Sequence, residues 1–168
     1  FKIIGQLGYP IFINPSRAFA LSDLSPYIEA YLKSWKEAGH RGDGEVGLRV
    51  PIYVSDTEEK AYNEPRESAL ASITSLAERV AVSASREGTS GDWQAESDLL
   101  SKMTYDDWLR DKVIYGTPDR VSDRLEQLIE ELHLKQIVYE INFGRRIPYE
   151  LQTNCLRMLA DKVLPNLK

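Results

Sequence analysis

At 168 residues, with 26 acidic against 21 basic side chains and a formal net charge of −5, the chain has no lysine or arginine block. It therefore lacks the electrostatic footprint of a nucleic-acid binder or of a protein held on an anionic membrane. Its single cysteine, Cys155, excludes an intrachain disulfide and a multi-cysteine metal cage, and no apolar run approaches the ~20 residues of a membrane helix.

No secretory signal opens the chain, so the cytoplasm is the expected compartment. A chain of this size buries about two thirds of its unfolded surface, enough for a single domain over residues 1–168. Ile3, Ile4 and Leu7 recur at helical spacing, and Gly8 suits the left-handed position after a helix end. With no initiator methionine and no N-cap before it, this helix is expected to continue upstream in a longer protein. Tyr9–Asn14 reads as a strand, with Pro10 at its start, where a lost donor does least harm, and Asn14-Pro15 as its exit turn. Ser25 and Pro26 supply an N-cap and first-turn pair for a helix whose stripe is Ile28, Tyr31, Leu32 and Trp35 and whose stop is Gly39.

Beyond a turn-rich connection from His40 to Glu45, Val46 to Val54 alternates as a strand with Leu48, Val50, Ile52 and Val54 on one face. The Arg41-Gly-Asp43 triplet belongs to that turn, where its glycine explains it better than an adhesion role does. Ser55 to Ala61 opens another helix, with Asp56, Glu58 and Glu59 read as capping and dipole charges. The helical run then continues to Glu87, with Pro65 kinking or restarting it. Residues 83–92 are small, polar and glycine-bearing, the best loop in the chain. The stretch 83–113, with short helices around Leu99, Met103 and Trp108, reads as a loop and insertion before the Gly116-Thr-Pro118 unit.

The most sharply specified unit follows. Thr117 N-caps a helix that starts at Pro118, Asp119 faces the helix dipole, and Val121, Leu125, Leu128, Ile129 and Leu132 form its apolar stripe. Gln136–Asn142 then reads as a buried parallel strand, and a last helix carries Cys155 as a core thiol among Leu151, Met158 and Leu159. Strands joined through helices argue an α/β fold with parallel crossovers.

Three groups of residues carry a resemblance: the Gly116-Thr-Pro-Asp-Arg-Val121 helix start, the strand ending Asn142-Phe-Gly144, and the closing Asp161-Lys-Val-Leu-Pro-Asn-Leu167. With Ala38-Gly-His40 and Val50-Pro-Ile-Tyr-Val-Ser-Asp-Thr57 upstream, they resemble the C-terminal part of the bacterial luciferase-like, flavin-dependent monooxygenases. The resemblance implies the C-terminal portion of a (β/α)8 TIM-type barrel, about three parallel strands with covering helices, with chemistry at the C-terminal strand ends. It implies reduced FMN and O2 as co-reactants for oxygenation of a small organic substrate, with the deazaflavin coenzyme F420 as the alternative cofactor. A flavin reductase partner and a homo-oligomer stay open, as does a different class of role, a non-catalytic partial barrel or pairing module.

On that fold Asn14 to Arg17, Ser55 with Asp56, and Asn142 to Arg146 fall at the catalytic rim. The candidate cofactor-binding residues are Asn142, Phe143 and Arg145, with Arg17 beside them: an amide, an aromatic face and guanidiniums that match phosphate or carboxylate geometry. From residue types alone they also read as a strand end, a core phenylalanine and solvated arginines. No nucleophile triad, glycine-rich phosphate loop or metal-ligand spacing is visible, and the catalytic residues are unassigned. His40 and His133 fall at the opposite end of the strands from the rim.

Overall fold

The computed structural model describes residues 1–15, 20–85 and 91–167. Its sheet consists of β1 (Ile11–Ile13), β2 (Val46–Val54), β3 (Ile114–Gly116) and β4 (Gln136–Glu140). Every pairing is parallel. Gly47 and Leu48 of β2 pair with Phe12 and Ile13 on β1 and also with Gln136 and Ile137 on β4, so β2 is central and the other two strands take its opposite edges. The three expected strands are therefore present, parallel and in chain order, with slightly tighter bounds.

The fourth strand was not expected, because Ile114-Tyr-Gly116 reads as a lead-in to the helix at Pro118. Three residues are too few to show a period. Its partner is the far end of β2: β1 and β4 pair with β2 only as far as Leu48 and Pro51, which leaves Ile52, Tyr53 and Val54 to bind Ile114, Tyr115 and Gly116.

Helices fill each connection. A short helix α1 (Lys2–Leu7) ends at Gly8, whose φ of 74° is the left-handed stop expected. Between β1 and β2 runs α2 (Ser25–Glu37). Ser25 is not its N-cap, because a 3-10 turn, Leu21–Leu24, feeds directly into the helix, and Asp23 accepts from the Ala20 amide at 2.9 Å. Between β2 and β3 come α3 (Glu58–Asn63), α4 (Arg66–Ala84), α5 (Gly91–Lys102) and α6 (Tyr105–Asp111), with Pro65 restarting the run as its sequence suggests. The expected loop over residues 83–92 lies partly outside the described residues, and the described part is helical at both ends. Helix α7 (Pro118–Glu131) joins β3 to β4, and α8 (Tyr149–Met158) follows the sheet and runs on through a π turn at Leu159–Val163. No described helix is long and apolar enough to cross a membrane.

Period-two alternation decides what β2 faces. Leu48, Val50, Ile52 and Val54 are fully buried in one core with Ile28 and Tyr31 of α2, Val121, Leu125 and Leu128 of α7, and Cys155. Cys155 is the core thiol expected, and its sulfur accepts from the Val54 amide at 3.3 Å. The other parity carries Phe12, Gly47, Arg49, Pro51, Val138 and Glu140. Phe12 lies across Gly47, where a Cβ would meet its ring at 2.5 Å. Phe12 and Val138 are 54% and 48% exposed, the incomplete covering expected of an inner face. Ile52 and Ile141 share the parity of the helix-covered core, where Ile52 is fully buried and Ile141 packs against the core.

A second, smaller core joins the helices between β2 and β3: Ile73, Val80, Leu100, Trp108 and Val113 pack together with Phe143 from beyond β4. The main core is the one that holds the sheet. Leu128 lies at its centre, and Leu128→Ala is expected to cost about 2–5 kcal/mol in urea unfolding, the range for deleting a buried leucine.

Candidate functional site

The C-terminal ends of β1 and β4 and the inner face of β2 meet at one guanidinium. Arg49 donates to Asn14 Oδ1 at 3.3 Å and forms an ion pair with Glu140 at 2.5 Å, tying three strands on the side away from the helix-covered core. Strand alternation put Arg49 opposite Leu48 and Val50, and that parity was the available signal for it.

After β4 the chain makes a braced loop. Arg145 N donates to the Asn142 carbonyl at 3.0 Å, and Ile147 N donates to Asn142 Oδ1 at 3.1 Å. Ser68 on α4 then closes it from outside: its hydroxyl donates to the Phe143 carbonyl at 2.6 Å and accepts from Arg146 N at 2.9 Å. Gly144, at φ 84°, sits against Ser68 so closely that a Cβ would collide with the Ser68 carbonyl. Arg145 itself has φ 64°, a left-handed conformation that costs a residue with a Cβ about 1–3 kcal/mol and persists only where its surroundings fix it.

Between this loop and α4 and α6 lies a groove of about 650 Å³, within the size range of small-molecule sites. Phe143 and Trp108 stack in its wall, with centroids 5.6 Å apart and planes 20° from parallel. The Trp108 indole N–H is buried with no hydrogen-bond partner among the described residues. The charged lining is Arg49, Arg79, Lys112, Glu140, Arg145 and Arg146. Burial pushes the Lys112 ammonium down to about 8, against the opposing pull of Asp23, Asp111 and Glu96.

Of the residues singled out in the sequence, Phe143 and Arg145 line this groove. Asn142 braces the loop and does not line the groove, and Arg17 lies outside the described residues. The other rim segment is tied into the structure: Ser55 donates to Glu64 at 3.0 Å, and Asp56 pairs with Lys60 at 2.8 Å. Tyr53 donates to the same Glu64 oxygen at 2.8 Å, and burial followed by that carboxylate pushes its phenol well up.

One acid does more than the capping role assigned to it. Glu58 accepts from Thr117 N at 3.2 Å and Thr117 Oγ1 at 3.0 Å and pairs with Arg120 at 2.8 Å, so the Thr117 hydroxyl serves Glu58 and not its own helix. Burial opposes ionisation there, but the Thr117 hydrogen bonds and the Arg120 charge hold the Glu58 carboxyl below its usual range. Ser68, Arg79 and Lys112 carried no sequence signal, because each sits in an ordinary helical context and gains its place from packing alone.

No protein-family model matches the sequence, and no curated protein matches it. Solved structures do. The oxygenating constituent of 3,6-diketocamphane monooxygenase from the CAM plasmid of Pseudomonas putida, a Type II Baeyer–Villiger monooxygenase in complex with FMN, aligns over 99% of this chain and 45% of its own, with TM-score 0.65 and 18% identity. What the two share is the parallel α/β fold. A monooxygenase from Streptomyces bottropensis aligns over 98% of this chain and 44% of its own, with TM-score 0.63 and 18% identity. The coenzyme F420 dependent tetrahydromethanopterin reductase of Methanopyrus kandleri aligns over 99% and 48%, with TM-score 0.62 and 19% identity. The chain thus spans less than half the length of each, and at these identities the likeness shows the α/β fold and not the reaction.

Two tests follow from the geometry. Ser68→Ala removes the partner of the part-buried Phe143 carbonyl and Arg146 amide and is expected to cost about 1–3 kcal/mol, with faster hydrogen exchange confined to residues 143–147. Lys112 titrates near 8 in the fold against 10.5 when free, so the unfolded chain holds this proton more tightly and stability rises with pH between those values. Relative to Lys112→Met, the wild-type chain should therefore gain stability as pH rises from about 8 to 10.5 in urea titrations.

Proposed function

We propose that this chain is part of a luciferase-like, flavin-dependent monooxygenase, supplying later strands of its barrel, that uses reduced FMN and O2 to oxygenate a small organic substrate. The observation that carries the reading is the groove itself. It lies beside the C-terminal strand ends, pairs a stacked Phe143 and Trp108 with guanidiniums, and so offers a planar phosphorylated ligand both an aromatic wall and anion-matching donors. The buried Trp108 N–H adds a donor that has no acceptor among the described residues. When bound, the reduced flavin supplies the electrons and the site of oxygen activation.

The chain's own residues bind and position. Arg145 and Phe143 form the cofactor-facing wall, Asn142 holds their loop, and Arg17, which follows β1 in the sequence, is a further candidate for the cofactor. The helices between β2 and β3 keep water from the groove. A flavin reductase is the proposed source of reduced cofactor, and the cytoplasm the proposed compartment. Deazaflavin-dependent hydride transfer is the second reading, favoured by the fold shared with the F420-dependent reductase.

In the intact enzyme Arg145→Ala is expected to weaken cofactor or substrate binding by about one to two orders of magnitude, the worth of a charge-assisted hydrogen bond, with lysine restoring part. Fluorescence titration with FMN and with F420, together with oxygen uptake, checks this. Unchanged kinetics in the variant removes Arg145 from the site. Turnover insensitive to oxygen selects the deazaflavin reading, and a failure to bind either cofactor selects the non-catalytic module.

A further inference from the structure

On the inner face of the sheet the pair of Arg49 and Glu140 leaves part of its hydrogen-bonding capacity open. A guanidinium carries five N–H donors in a planar fork, and a carboxylate about four acceptor positions. Arg49 commits one Nη1 donor to Asn14 Oδ1 at 3.3 Å and one Nη2 donor to Glu140 Oε1 at 2.5 Å. Its other N–H groups and Glu140 Oε2 have no hydrogen-bond partner among the described residues.

Two features separate this pair from an ion pair that only ties strands together. It is not sealed: the side chains are 38% and 22% exposed, and both line the groove whose wall carries the stacked Phe143 and Trp108. It is also held from two sides, because Asn14 follows β1 and Glu140 ends β4, and both grip one guanidinium that rises from β2 between them. A donor and an acceptor therefore stand side by side before any ligand arrives, and the charges that carry them cancel within the pair.

We propose that Arg49 and Glu140 bind the uncharged edge of a primary amide or lactam in the substrate, the guanidinium donating to its carbonyl oxygen and Glu140 Oε2 accepting from its N–H. An anion set against the pair meets Glu140 and a cation meets Arg49, whereas a carbonyl and an N–H side by side satisfy both. Charge-assisted hydrogen bonds are the stronger kind, and a site that bonds a ligand N–H rejects the analogue lacking it, because the acceptor is then left without a partner. The aromatic wall suits a planar body beside that edge. The inference rests on the proposed function only in calling the ligand a substrate.

The test is titration of the 168-residue chain with benzamide and with N,N-dimethylbenzamide, which keeps the carbonyl and lacks the N–H, followed by backbone amide shifts in NMR. Benzamide should saturate and shift the amides around Arg49 and Glu140, with the dimethyl compound bound about ten-fold or more weakly. Glu140→Gln keeps an oxygen for Arg49 and turns the open acceptor into a donor, so the preference between the two amides should disappear. Arg49→Lys keeps the charge opposite Glu140 and loses the fork, so both amides should weaken together. Arg124→Ala on α7 should alter neither.

If the pair only ties the sheet, both variants lose stability in urea while the ratio of the two amide affinities stays as in the wild type, and that result overturns the site. So does benzamide that fails to saturate or that shifts only residues elsewhere in the chain. Riboflavin preferred to 3-methylriboflavin by a margin lost in Glu140→Gln puts the flavin ring's own amide edge on the pair and overturns the substrate assignment. The amide titrations need neither flavin nor oxygen, so the oxidoreductase reading stands or falls separately.

Discussion

The fold depends on satisfying the backbone of β2 inside an apolar layer. Val46 to Val54 lies almost wholly out of water, so its peptide groups have no solvent partners and must all find strands. Neither β1 nor β4 is long enough to serve its whole length, and the three residues Ile114–Gly116 complete the ladder at the C-terminal end. Those pairings set the direction of every crossover helix. Parallel strands buried by helices on one face are what remains when β-branched residues occupy one parity and each connection has helical spacing.

That constraint also fixes the chemistry. Once Leu48, Val50, Ile52 and Val54 are committed to the helices, the alternate parity turns Arg49 and Pro51 the other way, in line with Glu140 on β4. An arginine on an inner sheet face needs a partner, and Glu140 and Asn14 provide it from the neighbouring strands. The rim loop is then held by a single hydroxyl. Ser68 acts as donor to one residue of the loop and acceptor from another, so the position of α4 and the course of residues 143–146 are coupled. Gly144 is required because only a residue without Cβ admits that approach at positive φ.

The shared architecture places this chain beside enzymes described with FMN and others described with F420, and the fold by itself does not choose between them. The choice belongs to the groove, where aromatic stacking and guanidiniums occur together. The helices between β2 and β3 are central to it, since Arg79, Trp108 and Lys112 all come from them or from their ends, while their shared core with Phe143 fastens them to the loop after β4.

By itself the sequence determined the elements. The Thr117-Pro118 start with its apolar stripe, the alternation through β2, the Gly8 stop and the core role of Cys155 are local or periodic signals, and the covered face of the sheet follows from them. The rim position of Phe143 and Arg145 was legible because strand ends in such a fold point to one side. What only the tertiary structure decided is which groups meet. Glu58 turning to Thr117 and Arg120, Ile141 facing the helices and the pairing of β3 each depend on a neighbour remote in the chain. The convergence of Arg79, Lys112 and Arg145 has the same origin: charges on separate helices and a loop carry no mutual periodicity, and only packing brings them to one groove.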